Sequence, residues 1–383
     1  MTTDYCAGQP APGIAQQIAT RVTFFVAGFG MSAWAPLVPF VKARLAINDA
    51  SLGLLLLCIG AGSMLGMPLT GVLTGRLGCR WVIMLAAALI CLDLPLLAVM
   101  ESQAGMALAL LLFGAAIGML DVSMNIHAVL VEKASGRAMM SGFHGFFSIG
   151  SIAGALGVSA LLWLTRSPLW AALAVVAVTV LLMAPARRHL WPQHEPQSGP
   201  LLVLPRGWVV FLGFLCFVMF LLEGAMLDWG ALFLIGSRGV APEHAGIGYA
   251  AFSVAMTLGR LNGDRIVQAL GRFRVLLSGS LCAVAGLLLA ILVPGLVSAL
   301  AGFVLVGIGA ANLVPIMFSA AGNQTAMPAN LAIASVTTLG YAGILAGPAL
   351  IGFIAQLSNL SVAFACVAAL MLVVTASARF VTR

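Results

Sequence analysis

Charge is scarce in this chain. Asp, Glu, Lys and Arg together make up 8% of its 383 residues, whereas about a quarter of a soluble domain is charged. Apolar residues make up 62%. No soluble fold of this length can bury so much apolar surface, so the composition predicts that lipid surrounds most of the chain.

Several kinds of functional motif are also missing. The seven cysteines form no Cys-x-x-Cys pair and no metal-binding spacing with histidine. The chain contains no Gly-x-x-x-x-Gly-Lys-Ser/Thr loop for a nucleotide. We therefore predict no metal, no cofactor and no ATP-driven pump. The formal charge of +7 comes from basic residues scattered over short connections, which argues against a nucleic-acid partner.

Long apolar runs recur from one end of the chain to the other. About 20 apolar residues span a bilayer as a helix, and the runs lack the alternation of barrel strands. The first run has no small-residue cleavage site behind it, so we expect a retained helix and not a signal peptide. The predicted spans are 20–41, 52–74, 81–100, 105–131, 139–164, 168–185, 208–235, 245–263, 275–294, 297–320, 331–356 and 360–379.

A polar, proline-containing stretch at 186–206 divides the runs into two sets of six. The sequence thus predicts an N-terminal six-helix bundle over 17–185, a cytoplasmic linker over 186–206 and a C-terminal six-helix bundle over 207–380. With the N-terminus inside, 14 of the 18 Lys and Arg residues lie on the cytoplasmic side and 4 lie outside. This asymmetry predicts cytoplasmic termini.

The two sets of spans share local patterns. Basic, glycine-containing turns follow the second and the eighth span, and glycine ladders occur in the fifth and the eleventh. Related halves are typical of transporters, which bind their substrate near the middle of the membrane. The residues that we assign to these cytoplasmic gating turns are Gly71, Arg76, Gly78, Arg80, Gly263, Asp264 and Arg265.

At these turns the chain resembles the major facilitator superfamily, and the resemblance covers essentially its whole length. The family signature in the first turn has Asp where this chain has Gly75, and Arg where it has Cys79. Within the superfamily the chain looks most like the bacterial fucose-permease-like branch, through the stretches 121–127, 143–150 and 223–229. The resemblance implies an all-α membrane protein of about twelve helices in two pseudo-symmetric six-helix bundles. Asp121 matches the acid that sugar–proton symporters of that branch carry in the fourth helix, whereas the first helix here has no acid.

Acids inside the predicted spans are the strongest functional signal, because a charge in hydrocarbon costs about 2.5–3.5 kcal/mol. Asp121 and Asn125 share one helix face at a spacing of four residues. Glu223 and Asp228 both lie in the seventh span. A carboxylate in a low-dielectric cavity can load and release a proton near neutral pH. We assign proton coupling to Asp121, Glu223, Asp228 and His144, with packing roles as the alternative.

Other polar and aromatic residues have two possible roles each. His144 can relay protons or pair with Asp121, or it can bond a backbone carbonyl. His127 is predicted to be structural, and Asp93 to satisfy backbone groups freed by Pro95. Tryptophans can anchor at the membrane interface or form walls of a site. The predicted substrate-binding residues are Trp34, Asn125, Trp229, Asn312 and Tyr341.

The sequence therefore predicts a secondary active transporter and not an enzyme. The first hypothesis is proton-coupled import of a small polar solute, sugar-like or other, by alternating access. The alternative is a proton-driven efflux antiporter for amphipathic compounds. A membrane enzyme or a sensor would need a loop-built site or an output domain. We expect a monomer in the bacterial cytoplasmic (inner) membrane, with the substrate, protons and lipids as its partners.

Overall fold

The computed structural model describes residues 13–47, 49–191, 204–240 and 246–382. Over these ranges the backbone forms helices joined by short turns, and no strand occurs there. The first seven helices are α1 (Ile14–Ala33), α2 (Val38–Leu45), α3 (Asp49–Leu77), α4 (Cys79–Val99), α5 (Gln103–Ser135), α6 (Met140–Thr165) and α7 (Pro168–Ala186). The next seven are α8 (Trp208–Arg238), α9 (Ile247–Leu270), α10 (Arg272–Leu292), α11 (Leu296–Ala310), α12 (Leu313–Asn323), α13 (Ala329–Leu357) and α14 (Leu360–Val381).

Eleven stretches of the described residues are long and apolar enough to cross a membrane. Two of them contain a break: α1 and α2 together form Ile14–Leu45, and α11 and α12 together form Leu296–Asn323. Helix α9 makes a twelfth candidate, since its 24 residues extend about 36 Å at 1.5 Å per residue. It is less apolar because three charged residues lie in its second half. The prediction of an all-α protein with about twelve spanning helices is confirmed.

The described residues divide into two compact units. The first unit contains α1 to α5, most of α6, α7 and residues 328–334 at the start of α13. The second contains residues 138–145 at the start of α6, helices α8 to α12, the rest of α13, and α14. The predicted bundles over 17–185 and 207–380 keep each helix whole, so their boundaries stay a prediction. The predicted linker over 186–206 lies largely outside the described residues, which stop at 191 and resume at 204.

Each unit repeats the same glycine turn. Gly78 precedes α4 in the first unit with φ 80° and ψ 154°, and Gly271 precedes α10 in the second with φ 81° and ψ 152°. Side chains with a Cβ rarely adopt this region, so glycine permits the chain to reverse sharply into the next helix. The internal repeat seen in the sequence therefore extends to backbone torsion angles.

An arginine caps a helix end in each unit, and this pair is a second repeat. The Arg44 guanidinium at the end of α2 donates to Leu97 O and Met100 O, both at 2.8 Å, and to Ala98 O, all at the C-terminal end of α4. Carbonyls at a helix C-terminus lack partners within the helix, and a cation there also complements the helix dipole.

The second unit has the corresponding contact at the end of α8. Arg238 donates to Ala290 O and, at 3.1 Å, to Ile291 O at the end of α10. Its guanidinium also lies 5.0 Å from the centre of the Phe233 ring. Arg44 and Arg238 are two of the four basic residues that the sequence places outside. The hydrogen bonds that each arginine donates join the end of one helix to the end of another, which explains the position of both arginines.

Close helix packing recurs in the two units as well. A Cβ at Gly150 or Gly154 of α6 would collide with carbonyl oxygens of Phe25 and Phe29 in α1. A Cβ at Gly343 of α13 would collide in the same way with Phe217 O of α8. Gly150, Gly154 and Gly343 thus bring two backbones into contact, as small residues do in membrane helices.

We expect Arg44→Ala to lower the free energy of unfolding by about 1–3 kcal/mol, because buried carbonyls lose bonds to a charged donor. Thermal unfolding of detergent-solubilised protein measures the effect. Arg188→Ala is the matched control, because Arg188 is an exposed arginine just beyond α7. Equal melting temperatures for the two variants would contradict the capping role.

Candidate functional site

The second unit contains an ion pair inside its helices. Arg260 Nη2 of α9 lies 2.9 Å from Glu223 Oε1 of α8. Arg260 is the deeper partner, with 8% of its side chain exposed against 20% for Glu223. A charge in such surroundings needs a partner of opposite sign, because removing one partner leaves an uncompensated charge. The pair therefore holds α8 and α9 together and keeps two charges in an otherwise apolar region.

A broken helix supplies another hydrogen-bond partner of Arg260. Pro315 has no N–H, so it cannot donate to the carbonyl of Ala311 four residues earlier. Arg260 Nε bonds that carbonyl at 3.4 Å. The break between α11 and α12 falls at Asn312, whose side-chain Nδ2 donates to Gly259 O of α9 at 3.4 Å. Asn312 Oδ1 is buried and accepts no hydrogen bond from the described residues.

The first unit has a different kind of acid. Asp121 of α5 accepts a hydrogen bond from Asn125 Nδ2 at 3.3 Å, and the same amide donates to the Asp121 carbonyl at 2.9 Å. Asn125 is fully buried, whereas Asp121 is half-buried. Among the residues that the structure describes, no cation forms an ion pair with Asp121. This carboxyl group can therefore change its charge without leaving a cation behind.

Two tryptophans carry unused donors, one in each unit. Trp34 follows α1 and is 6% exposed, and Trp229 lies in α8. The indole Nε1 of each is buried and has no hydrogen-bond partner within the described part of the chain. Buried indole N–H groups normally find an acceptor. Each tryptophan thus presents a donor suited to a ligand oxygen.

The remaining predicted residues of the second unit have separate surroundings. His144, at the start of α6, stacks on Phe318 with ring centres 5.8 Å apart, and it lies within electrostatic range of Arg260. Tyr341 of α13 meets Phe220 edge to face at 5.7 Å. Asp228 is exposed on α8. His144 therefore lies near the ion pair. Asp228 is exposed, unlike the two members of that pair.

His127 has the structural role that the sequence predicts. Its Nε2 accepts the N–H of Trp191 at 2.9 Å, so Nδ1 carries the proton and faces Thr20 Oγ1 at 3.3 Å. These hydrogen bonds connect the segment that follows α7 to α1 and α5.

Asp93 does not show the hydrogen bonding that was predicted for it. Helix α4 continues through Pro95, and Asp93 Oδ2 has no hydrogen-bond partner among the described residues. The physical reason is that Pro95 frees a carbonyl acceptor, and a carboxylate has no proton to donate to it.

The second gating turn makes a charged contact with the start of α6. Asp264 Oδ1 of α9 accepts the N–H of Gly142 at 3.1 Å, and Gly142 lies in the first turn of α6. A carboxylate is favourable there because the first N–H groups of a helix lack internal partners. Gly263 packs so closely that a Cβ would collide with Asn312 and Ser141. Arg265 is exposed.

The first gating turn makes an uncharged contact with the start of α13. The Asn330 side chain at the start of α13 donates to Gly71 O at 2.6 Å. An apolar cavity lies beside Gly75, the position at which the family signature has Asp, and its lining includes Thr74, Cys79 and Asn330. Gly78 makes the reversal into α4. Of the two basic residues in this turn, Arg76 is exposed and Arg80 is half-buried.

The sequence profile of the Major Facilitator Superfamily matches residues 22–330. The chain belongs to this superfamily. It is 67% identical over 373 residues to an uncharacterised MFS-type transporter of Yersinia pestis, with 97% of each chain covered.

Solved structures show the same fold. The MFS transporter FucP in its outward conformation matches with a TM-score of 0.84 at 17% identity, over 98% of this chain and 100% of FucP. A second structure, of a variant of the E. coli fucose:proton symporter FucP, has a TM-score of 0.79 at 16% identity, over 97% of this chain and 99% of that chain. The protein is therefore an integral membrane transporter of this superfamily, and it is not an enzyme.

Sequence reasoning missed Arg260 as the ion-pair partner of Glu223. It counted Arg260 among the cytoplasmic charges that flank a span ending near residue 263. Helix α9 instead continues to Leu270, which places Arg260 within the helix and against Glu223. Without Arg260 the charge asymmetry is 13 to 4, so the basis of the orientation prediction changes little.

We expect the Glu223–Arg260 pair to show strong coupling in a double-mutant cycle. Glu223→Ala and Arg260→Ala each leave one charge unpaired, whereas the double variant removes both charges. The summed losses in the free energy of unfolding of the two single variants should therefore exceed the loss of the double variant. The difference, which is the interaction energy, should be about 1–3 kcal/mol. Chemical or thermal unfolding of the purified transporter measures it. Additive losses would show that the pair does not act as a unit.

Asp264→Ala should lower the free energy of unfolding by about 1 kcal/mol, the usual effect of losing a carboxylate that caps a helix start. Arg265→Ala, at an exposed neighbouring position, should have little effect. Melting temperatures of the two variants, measured in parallel, test the cap. If Arg265→Ala proves equally destabilising, the turn rather than the cap is responsible.

Proposed function

We propose that this transporter imports a small polar solute together with protons, by alternating access. The observation that carries the proposal is the pair of acids inside the spanning helices, Asp121 in the first unit and Glu223 in the second. Ionisable groups inside spans are rare and commonly mark proton or substrate pathways. The two acids also have different partners, an amide and a guanidinium.

Asp121 is the simpler proton carrier of the two. Its only side-chain partner among the described residues is the neutral amide of Asn125. Gain of a proton there removes a charge from a low-dielectric site and exposes no opposite charge. We therefore assign the driving proton to Asp121.

Buried hydrogen-bonding groups without a partner support the recognition of a polar solute. Trp34 and Trp229 offer buried N–H donors, and Asn312 offers a buried acceptor. A ligand oxygen suits either donor, and a ligand hydroxyl suits the acceptor. An amphipathic compound matches such groups less well, which favours the polar solute over the efflux alternative.

The named relatives are compatible with this proposal. FucP is a fucose:proton symporter, so the fold accommodates proton-coupled uptake of a hydroxyl-rich solute. We further propose a monomer in the bacterial cytoplasmic membrane with both termini inside, consistent with the excess of basic residues predicted on that side.

Proton uptake into proteoliposomes tests the proposed function. A panel of sugars, organic acids, amino acids and amphipathic cations is added under an imposed pH gradient, and an internal pH dye records coupled proton movement. Asp121→Asn should reduce this movement to the level of protein-free liposomes, because the amide cannot take up a proton. Glu101→Gln, which alters an exposed acid, is the control.

The assay also distinguishes import from efflux, since a solute added outside should carry protons inward through a symporter and drive protons outward through an antiporter. Proton movement that persists unchanged in Asp121→Asn would overturn the role of that residue. No coupled movement with any member of the panel would overturn proton coupling itself.

A further inference from the structure

Asp93 of α4 is a buried acid to which the proposed function gives no role. Its side chain is 6% exposed, and Oδ2 has no hydrogen-bond partner among the described residues. No cation in the described part of the chain forms an ion pair with it. A charged carboxylate without a partner is strongly unfavourable at such a depth, whereas the neutral acid carries no charge. The surroundings of Asp93 therefore favour the form that holds a proton.

Helices α1 and α4 pass each other in the same direction beside this acid. A Cβ at Gly30 of α1 would lie 3.3 Å from Ile90 Cγ2 of α4. Further along both segments, Arg44 donates to Leu97 O at 2.8 Å. Two successive contacts in the same order fix the relative direction of the two segments. Asp93 comes between these contacts, at the level where α1 ends.

Trp34 lies at the same level on the side of α1. It follows Gly30 by four residues and has helical torsion angles, with φ −68° and ψ −41°. Asp93 follows Ile90 by three residues. Residues three or four apart share a helix face and lie about 5–6 Å apart along the axis. Trp34 and Asp93 therefore both lie one turn beyond the contact between Gly30 and Ile90, on the facing sides of the two helices.

Trp34 has the hydrogen-bonding group that an ionised Asp93 needs. Its side chain is 6% exposed, and its indole N–H has no acceptor within the described ranges. An indole N–H only donates and a carboxylate only accepts, so the two groups are complementary. Trp34 also stands at a helix break, because Pro36 has no N–H to donate to the carbonyl of Ser32. Broken helices commonly hold the coupling ions of transporters.

The elements packed against α4 bring no cation into an ion pair with this acid. Lys42 and Arg44 of α2 lie toward the end of the unit that holds Asp93, but neither pairs with it, and Arg44 donates to carbonyls. Helix α7 carries no charge. The cations at the opposite end, where α1 and α4 begin, are Arg21 of α1, Arg76 of α3, Arg80 of α4 and Lys133 of α5. The remaining titratable groups are Asp49 and Cys58 in α3, Cys91 in α4, and Asp121, His127 and Glu132 in α5.

We propose that Asp93 is a second proton-binding residue of the transporter and that Trp34 positions it by donating to its ionised form. This inference rests on the proposed function, in which Asp121 carries the driving proton, and deepens it by adding a proton to the cycle. In the conformation of the structure Asp93 holds its proton. When the break in α1 opens to water, the O–H bond of Asp93 breaks and the proton passes to water. The carboxylate then accepts the N–H of Trp34.

Infrared spectroscopy of the purified protein tests the proton on Asp93 without any solute. A protonated carboxyl group in apolar surroundings gives a carbonyl-stretching band that is separate from the amide bands. We expect this band at neutral pH, and Asp93→Asn should lose one component of it because the amide has no carboxyl group. Glu101→Gln, which alters an exposed acid just beyond α4, should leave the band unchanged.

Trp34→Phe tests the donor, because it keeps an aromatic ring and removes the N–H. The carboxylate of Asp93 then loses a hydrogen bond, so the Asp93 component of the band should persist to a pH about 1–2 units higher. Loss of packing alone would lower the melting temperature without moving this titration. Trp163→Phe is the matched control, because that tryptophan is 80% exposed.

Three outcomes overturn these assignments. A wild-type protein without the band at neutral pH, or an Asp93→Asn variant that keeps the whole band, excludes the proton site. If Asp93→Asn does not yield folded protein, Asp93→Glu moves the carboxyl group by one methylene, and an unchanged band in that variant has the same consequence. An unshifted titration in Trp34→Phe excludes the role of Trp34.

Proteoliposomes relate the site to transport. For the solute of the panel that moves protons most strongly, isotope-labelled solute gives the number of protons per solute. Asp93→Asn should halve this number, because one of two protons is lost. An unchanged number overturns the second transported proton and leaves coupling through Asp121 intact. Conversely, an Asp93 band that depends on Trp34, with no coupled movement for any solute, would retain the buried proton site and reject the proposed function.

Discussion

Hydrocarbon offers no hydrogen bonds, and this constraint determines where the polar atoms of the transporter lie. Each interruption of a helix frees a carbonyl or an N–H that the protein itself must satisfy. Arginine side chains form several of these hydrogen bonds. Arg44 and Arg238 donate to carbonyls at the ends of α4 and α10, and Arg260 donates to Ala311 O at the proline break. A guanidinium suits the task because it has several donors on a long, partly apolar stem.

The same constraint makes the two units functionally unequal despite their repeated construction. Gly78 and Gly271 share their torsion angles, and Arg44 and Arg238 share their capping role. The acids differ. One unit holds Asp121 beside a neutral amide, and the other holds a glutamate beside a guanidinium. The repeat therefore preserves the scaffold while the buried charges differ between the two units.

The spans and the buried acids could be predicted from the sequence because each is a local property of about 20 residues. The partners could not. Arg260 lies 37 residues from Glu223, Arg44 lies 56 residues from Met100, and Asn330 lies 259 residues from Gly71. Hydropathy ended the eighth span near residue 263, so Arg260 counted as a cytoplasmic charge at the end of that span, whereas α9 continues to Leu270. Pro315 is visible in the sequence. The hydrogen bond that Arg260 donates to Ala311 O, the carbonyl that Pro315 leaves free, is seen only in the structure.

Each of the two gating turns accepts a hydrogen bond from the start of another helix, but the two acceptors differ in charge. In the first, the Asn330 side chain at the start of α13 donates to the carbonyl of Gly71. In the second, the backbone N–H of Gly142 at the start of α6 donates to the carboxylate of Asp264. Only the second contact involves a full charge at a helix N-terminus, where the dipole strengthens it. The family signature places its acid in the first turn, where this chain has Gly75 and a cavity. The charged contact is thus in the second turn, on the same helix as Arg260, so a movement of α9 would change the Glu223–Arg260 pair and this contact together.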